Sequence, residues 1–339
     1  METIGEQLRI PSDQMKAEFF RILIRLGFTT ERAYKCAEIF MLNSLEGVYS
    51  HGVYRFPRFV KSIREGYIRP EAVPTLVHRA GALEQWNGNL GPGPLNAIFA
   101  TGRATELAAE NSIGLVSLAN TNHWMRGGTY GWQAARKGFV LICWTNTCPN
   151  MPAWGAKDPR LGNNPFVMAV PYQKEAIVLD FAMSQFSYGK MEQFRNEGIK
   201  LPYMGGFNAE NKLTDNPGEI LDTWRPLPFG YWKGAGLSLL LDILATVLSG
   251  GLSTHEVSTC TSESNISQVF IAIQLKSLHN FPAIGQSIDR IIEDLRKSVP
   301  ENENSKIRYP GENVVFIRDE NLKNGIPVSR EIWEKIVKL

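Results

Sequence analysis

The chain has 339 residues, 43% of them hydrophobic and 21% charged. That length suggests about two domains and supplies ample apolar material for packed cores, which excludes a disordered or fibrous chain. A net charge of +2, with no long basic run, argues against nucleic acid as the main partner.

The first residues carry acids and no apolar run, so no signal peptide is expected. Pro11-Ser12-Asp13 marks a helix start. Met15, Phe19, Ile22, Leu23 and Leu26 follow at helical spacing, and Gly27 is the stop. Thr30 can cap a second helix carrying Ala33, Ala37, Phe40 and Met41, ending near Gly47. Next comes Val48-Tyr49-Ser50-His51-Gly52-Val53-Tyr54-Arg55, where an imidazole and a guanidinium stand four residues apart. One can transfer a proton near neutral pH and the other can grip a carboxylate with two donors, a pairing that suits reduction of a keto acid. Spacing alone favours the plainer reading of a loop histidine and a surface arginine. A third helix is expected over 56–65.

From about residue 75 the pattern changes to short strands alternating with helices. Strands are expected at 75–77, 83–86, 114–119, 139–145, 166–170, 177–181 and 269–275, and helices at 94–110, 129–137, 236–249 and 282–298. The longest apolar stretch, 237–248, is interrupted by Asp242 and is too short to span a bilayer, so it reads as a buried helix. Residues 195–230 read as a long irregular excursion rich in Gly, Pro, Asn and Asp, and a last helix is expected over 329–339. The fold class is α/β with a helical N-terminal part. The domain reading is 1–75 helical, completed by helices of 281–339, and 76–280 mixed α/β.

Known fingerprints are absent. Gly88-Asn89-Leu90-Gly91-Pro92-Gly93 has the wrong spacing for Gly-x-Gly-x-x-Gly, and Gly234-Ala235-Gly236 lacks its third glycine. Either no dinucleotide binds, or one binds outside the Rossmann scheme. The five histidines show no metal-ligand spacing. The four cysteines, Cys36, Cys143, Cys148 and Cys260, form no Cys-x-x-Cys pair and no disulfide framework, which fits a reducing, cytoplasmic setting.

Chemistry concentrates in a few segments. Asn120 to Gly128 follows a strand and opens a helix; Trp154 to Lys157 leads into Gly162-Asn163-Asn164-Pro165; Leu179-Asp180-Phe181 ends a strand with a carboxylate; Gly230-Tyr231-Trp232-Lys233-Gly234 precedes an apolar helix. On these residues, and on the strings GVYSHGVYRFPR (47–58), NHWMRGGTYGWQA (122–134), MPAWGAK (151–157), FSYG (186–189) and GYWKG (230–234), the chain resembles the type-2 malate/L-lactate dehydrogenase family over nearly its whole length. The likeness is strongest to the members acting on a diketo sugar acid. The resemblance implies a non-Rossmann, mixed-sheet, NAD-binding domain with an L-sulfolactate dehydrogenase-like arrangement. It further implies an NADH-dependent reductase, with NADPH an alternative, and a homodimer. Carried over by position, His51 matches the proton donor. Cofactor contacts match Ala176, Ile177, Val178, Leu179, Asp180, Phe181 and Ala182, then Trp232 and Lys233, then Gly311, Glu312 and Asn313.

The physical reading adds roles. Asp180 is expected to orient His51 and keep it protonated, or else to cap the strand or bind a cofactor ribose. Arg55 is expected to clamp the substrate carboxylate. His123 is either a substrate contact or a packed loop histidine. Arg126 is either a second substrate cation suited to a hydroxylated keto sugar acid or a surface arginine. Two departures from the family pattern stand out: Asn163 replaces a usual threonine, and Gly311-Glu312-Asn313 differs from the Gly-His-Glu of the sugar-acid members. The expected activity is reduction of the 2-keto group of a sugar acid. The alternatives are the same chemistry on a malate-, lactate- or sulfolactate-type keto acid or a cyclic imino acid, and a non-catalytic sugar-acid or nucleotide-binding protein.

Overall fold

A computed structural model describes residues 7–260 and 263–339 of the chain. The first helix, Ser12–Arg25, buries Met15, Phe19, Ile22 and Leu23, the single stripe that a 3.6-residue period produces. Gly27 ends that turn at a φ of +88°, a left-handed conformation that glycine adopts without strain. The stripe packs on helices Thr30–Leu45 and Phe56–Arg64. Phe19 stacks on Phe56 at 4.2 Å, and Phe40 meets Phe56 edge-on at 5.1 Å. Ile326, Val328, Trp333 and Ile336 join this core from the other end of the chain. Strand Gln7–Ile10 pairs antiparallel with Ile326–Ser329, so the two ends of the chain are tied together.

The second core surrounds a seven-stranded sheet. Its spatial order is Thr75–Ala80, Leu83–Asn87, Ile113–Asn122, Ser264–Gln274, Phe139–Thr145, Phe166–Tyr172, Glu175–Phe181. Only the Leu83–Asn87 and Ile113–Asn122 neighbours run parallel. A dinucleotide fingerprint needs a strand, a glycine turn and a helix inside a parallel sheet. This sheet is nearly all antiparallel, which accounts for the missing fingerprint. Helices Gly93–Asn111 and Gly128–Ala135 cover one face, and Trp232–Ser249 covers the other.

Three elements depart from the sequence expectations. The apolar stretch does form a helix, Trp232–Ser249, but only 33% of it is buried. Leu241 and Ala245 face the sheet, whereas Leu240, Ile243 and Val247 are 46–68% exposed. Composition reports that a helix is apolar all round, not what covers each side. The 195–230 excursion is not irregular throughout: it holds the pair Gly206–Phe207 and Leu213–Thr214, and helix Pro217–Thr223. With helix Tyr188–Asn196 it encloses a small core of Met191, Leu201 and Ile220. A further helix, Glu312–Asn324, occupies a stretch where none was expected.

Candidate active site

His51 ends a single 3-10 turn, Tyr49–His51. The turn is clamped to the preceding helix. Asn43 Nδ2 donates to the His51 carbonyl at 2.9 Å, and the Val53 amide donates to Ser44 Oγ at 2.8 Å. Gly52 permits this approach, since a Cβ there would lie 2.2 Å from Ser44 Oγ. The Ser50 hydroxyl sits 3.0 Å from His51 Nδ1. The His123 ring lies parallel to the His51 ring at 5.8 Å. The Met125 amide donates to His123 Nδ1 at 3.0 Å, which leaves the His123 proton on Nε2. Met125 itself is held at a φ of +69°, a strained conformation for a side chain of its kind.

Burial, then the Arg55 and Arg126 charges, push His51 down to about 4, and burial drives His123 well below its ordinary value. Both imidazoles are therefore neutral at pH 7. This corrects the expectation that Asp180 keeps His51 protonated. The Asp180 carboxylate accepts instead from the Gly128 amide at 2.8 Å, at the positive end of helix Gly128–Ala135. Its Oδ2 lies 4.0 Å from Arg126 Nε, and no hydrogen bond among the described residues joins it to His51. A quarter of its side chain reaches solvent at 24%, yet desolvation in the cleft still raises its carboxyl.

Arg126 is neither a surface residue nor open to a substrate anion. It is 6% exposed and ion-paired with Glu46, itself 6% exposed. Arg318, on helix Glu312–Asn324, lies 3.3 Å from the other Glu46 oxygen and pairs with Glu175, which also binds Arg136 at 2.8 Å. The sugar-acid argument built on Trp124-Met125-Arg126 is corrected with it. Trp124 packs on Tyr130 and Phe270 in one core and Met125 is buried in the other, where it also borders the pocket, so this loop faces inward.

The expected substrate residues Arg55 and His123 do meet, in a pocket that Arg58, Asn122, Tyr67 and Glu263 also line. Arg55 lies 3.6 Å from Glu263. Sequence reasoning passed over Arg58 and Glu263. Arg58 had a signal, because Arg55 and Arg58 stand three residues apart, at the N-cap and in the first turn of helix Phe56–Arg64. Glu263 had none, since it reaches the pocket from the far end of the chain.

The three segments matched to cofactor contacts lie along one strand. Ala176 and Val178 of Glu175–Phe181 face the helix layer, and Asp180 follows them at the two-residue period. The Val178 amide donates to the Pro310 carbonyl at 3.1 Å, bringing in Gly311 to Asn313. Gly311 has a φ of +88°, and a Cβ there would be 3.2 Å from the Val178 backbone. At the strand's other end Phe181 meets Phe229 edge-on at 5.2 Å, and the Phe229 amide donates to the Met183 carbonyl at 2.8 Å. This anchors the turn to Trp232 and Lys233, both exposed. Tyr231 in that turn has a φ of +60°. Glu312 Oε2 is buried without a hydrogen-bond partner, and an open groove beside it carries Arg296, Lys306 and Arg308. A buried acceptor beside cations suits the ribose hydroxyls and phosphates of a nicotinamide dinucleotide.

A family profile described as malate/L-lactate dehydrogenase matches residues 10–337. The chain therefore belongs to that family and is an oxidoreductase. A relative from Escherichia coli strain K12, 2,3-diketo-L-gulonate reductase, is 46% identical over 333 residues, covering 98% of this chain and 100% of that protein. Among solved structures, sulfolactate dehydrogenase from Methanocaldococcus jannaschii is 26% identical with a TM-score of 0.88, covering 97% of this chain and 95% of its own. Malate dehydrogenase from Entamoeba histolytica, 23% identical with a TM-score of 0.92 over 98% and 97% of the two chains, shares the fold.

Proposed function

We propose that the protein reduces the 2-keto group of 2,3-diketo-L-gulonate to give 3-dehydro-L-gulonate, using NADH in preference to NADPH. The observation that carries this reading is the stacked, half-buried His51–His123 pair, of which His123 lines a pocket with Arg55 and Arg58. The 46% identity to a reductase of that sugar acid supports the substrate. Bound NADH supplies the hydride. Arg55 holds the substrate carboxylate, and His51 gives a proton to the oxygen that gains alkoxide character. A carboxylate at Arg55 offsets one of the two cations that depress His51, so substrate binding raises the imidazole pKa toward the working range. His123 Nε2–H is a donor for the same oxygen or its neighbour. Asp180 serves the cofactor side of the cleft and the Gly128 helix end. Four unbridged thiols fit a cytoplasmic setting.

The test is loss of NADH absorbance with 2,3-diketo-L-gulonate, oxaloacetate and pyruvate, repeated with NADPH. The sugar acid with NADH should give at least ~10-fold higher kcat/KM than either simple acid. Higher values with oxaloacetate would move the substrate to the malate type, and NADH binding with no oxidation of any acid would favour a binding protein.

The same reading includes a homodimer. The outward face of Trp232–Ser249 exposes Leu239, Leu240, Ile243, Leu244 and Val247 as one contiguous strip. Apolar surface of this kind on a folded chain marks an interface, and a second copy covers it here. Val247, 68% exposed, touches little of its own chain. Val247→Glu should halve the mass measured by light scattering at micromolar protein. A wild-type mass of one chain at that concentration would remove the dimer.

A further inference from the structure

The pocket beside His123 is charged in a way that stability alone does not favour. Arg55 is the N-cap of helix Phe56–Arg64 and Arg58 lies in its first turn. Cations are unfavourable at a helix N-terminus, and like charges three residues apart repel. Arg58 has no ion pair among the described residues. Arg55 has one, to Glu263 at 3.6 Å, too long for a hydrogen bond. Glu263 is equally under-used: its side chain is 12% exposed, and its other oxygen faces the Cys148 thiol at 3.6 Å. Two register irregularities open the strand that follows, between Ser264 and Gln268, so the sheet bends where Glu263 enters the pocket.

We propose that Glu263 is the residue that selects a polyhydroxylated 2-keto monocarboxylate over a dicarboxylate, by accepting hydroxyls of the substrate tail while Arg55 and Arg58 take the terminal carboxylate. The proposal rests on the 2-keto acid reading above and names its substrate class. When a substrate carboxylate reaches the arginines, the loose Arg55–Glu263 contact gives way and Glu263 Oε2 is free to accept O–H donors, while Oε1 stays against the Cys148 thiol. A tail that ends in a second carboxylate, as in oxaloacetate, instead meets a fixed negative charge with little water to screen it. A site built to hydrogen-bond hydroxyls also rejects a tail that lacks them, because its buried acceptor would go unpaired.

The test uses Glu263→Gln, which keeps the shape and removes the charge. L-Gulonate and L-malate, neither of which NADH can reduce, are titrated calorimetrically into the NADH-loaded wild type and variant. Wild type should bind L-gulonate at least ~10-fold more tightly than L-malate. Glu263→Gln should weaken L-gulonate and strengthen L-malate, moving their ratio by ~100-fold. Arg58→Gln should weaken both by one factor, since both ligands carry the shared carboxylate. A Glu263→Gln protein that changes both affinities equally, or neither, overturns the proposal. So does a wild type that prefers L-malate. Turnover of 2,3-diketo-L-gulonate and oxaloacetate is measured alongside. Selective binding without turnover of either acid would overturn the reductase reading and leave the role of Glu263 standing.

Discussion

His51→Ala is expected to lower kcat for keto-acid reduction by ~10²–10⁴-fold, the usual contribution of a positioned proton donor, with NADH affinity unchanged. The pH dependence separates this role from a structural one. Reduction consumes a proton, so the reactive form carries imidazolium at position 51. In the free protein His51 is pushed down to about 4, and kcat/KM for reduction should therefore fall about tenfold per pH unit above that value. The pKa seen in kcat should lie higher, because the bound carboxylate offsets the Arg55 charge. Oxidation of the hydroxy acid, with neutral His51 as base, should be level above about 4 and fall only below it. Both slopes should vanish in His51→Ala. A wild-type kcat/KM for reduction that is flat from pH 5 to 8 would end the assignment. Stability runs the opposite way with pH. The unfolded chain takes up this proton near 6.5 and the folded chain only near 4, so nothing is lost above 6.5. Folding weakens as pH falls through that window, by up to ~1.4 kcal/mol per unit. His51→Ala should be the less acid-sensitive protein.

That histidine was legible in the sequence, and so was most of the frame around it. Each strand of the main sheet has an apolar run that marks it, and the Ser12–Arg25 stripe is a plain helical period. Strand order was not legible. The central strand, Ser264–Gln274, is nearly the last in the chain and pairs with Ile113–Asn122 and Phe139–Thr145, contacts that no local pattern announces. Helix Glu312–Asn324 escaped notice because it fully buries only Asn321, so it has no apolar stripe to read. The same limit governs the site. His51 and Arg55 are neighbours in sequence and carry a visible spacing, whereas Glu46, Arg318 and Glu263 act through partners brought together only by the fold. Arg126 shows the consequence. Its motif marked it as important, and only its partner Glu46 shows what it does.

Removing that partner interaction should have the largest effect on stability in the molecule's polar interior. Arg126→Ala is expected to destabilise the protein by ~3 kcal/mol, the low end for breaking a buried ion pair. The low end applies because Arg318 remains 3.3 Å from Glu46 and still neutralises it. Urea unfolding followed by circular dichroism reads the change as a lower midpoint. Arg126→Ala and Glu46→Ala together should cost clearly less than the sum of the two, because each single change already breaks the same contact. The ratio of kcat/KM between 2,3-diketo-L-gulonate and oxaloacetate should not move, since the guanidinium reaches no substrate. The pH profile should move. Arg126 is one of the two charges that hold His51 down, so its loss raises the imidazole pKa and shifts the falling limb of reduction to higher pH. Unchanged stability with an altered substrate ratio would return Arg126 to the substrate pocket. A stability loss with an unshifted pH profile would confine it to the frame that ties the Glu312–Asn324 helix to the floor of the cleft.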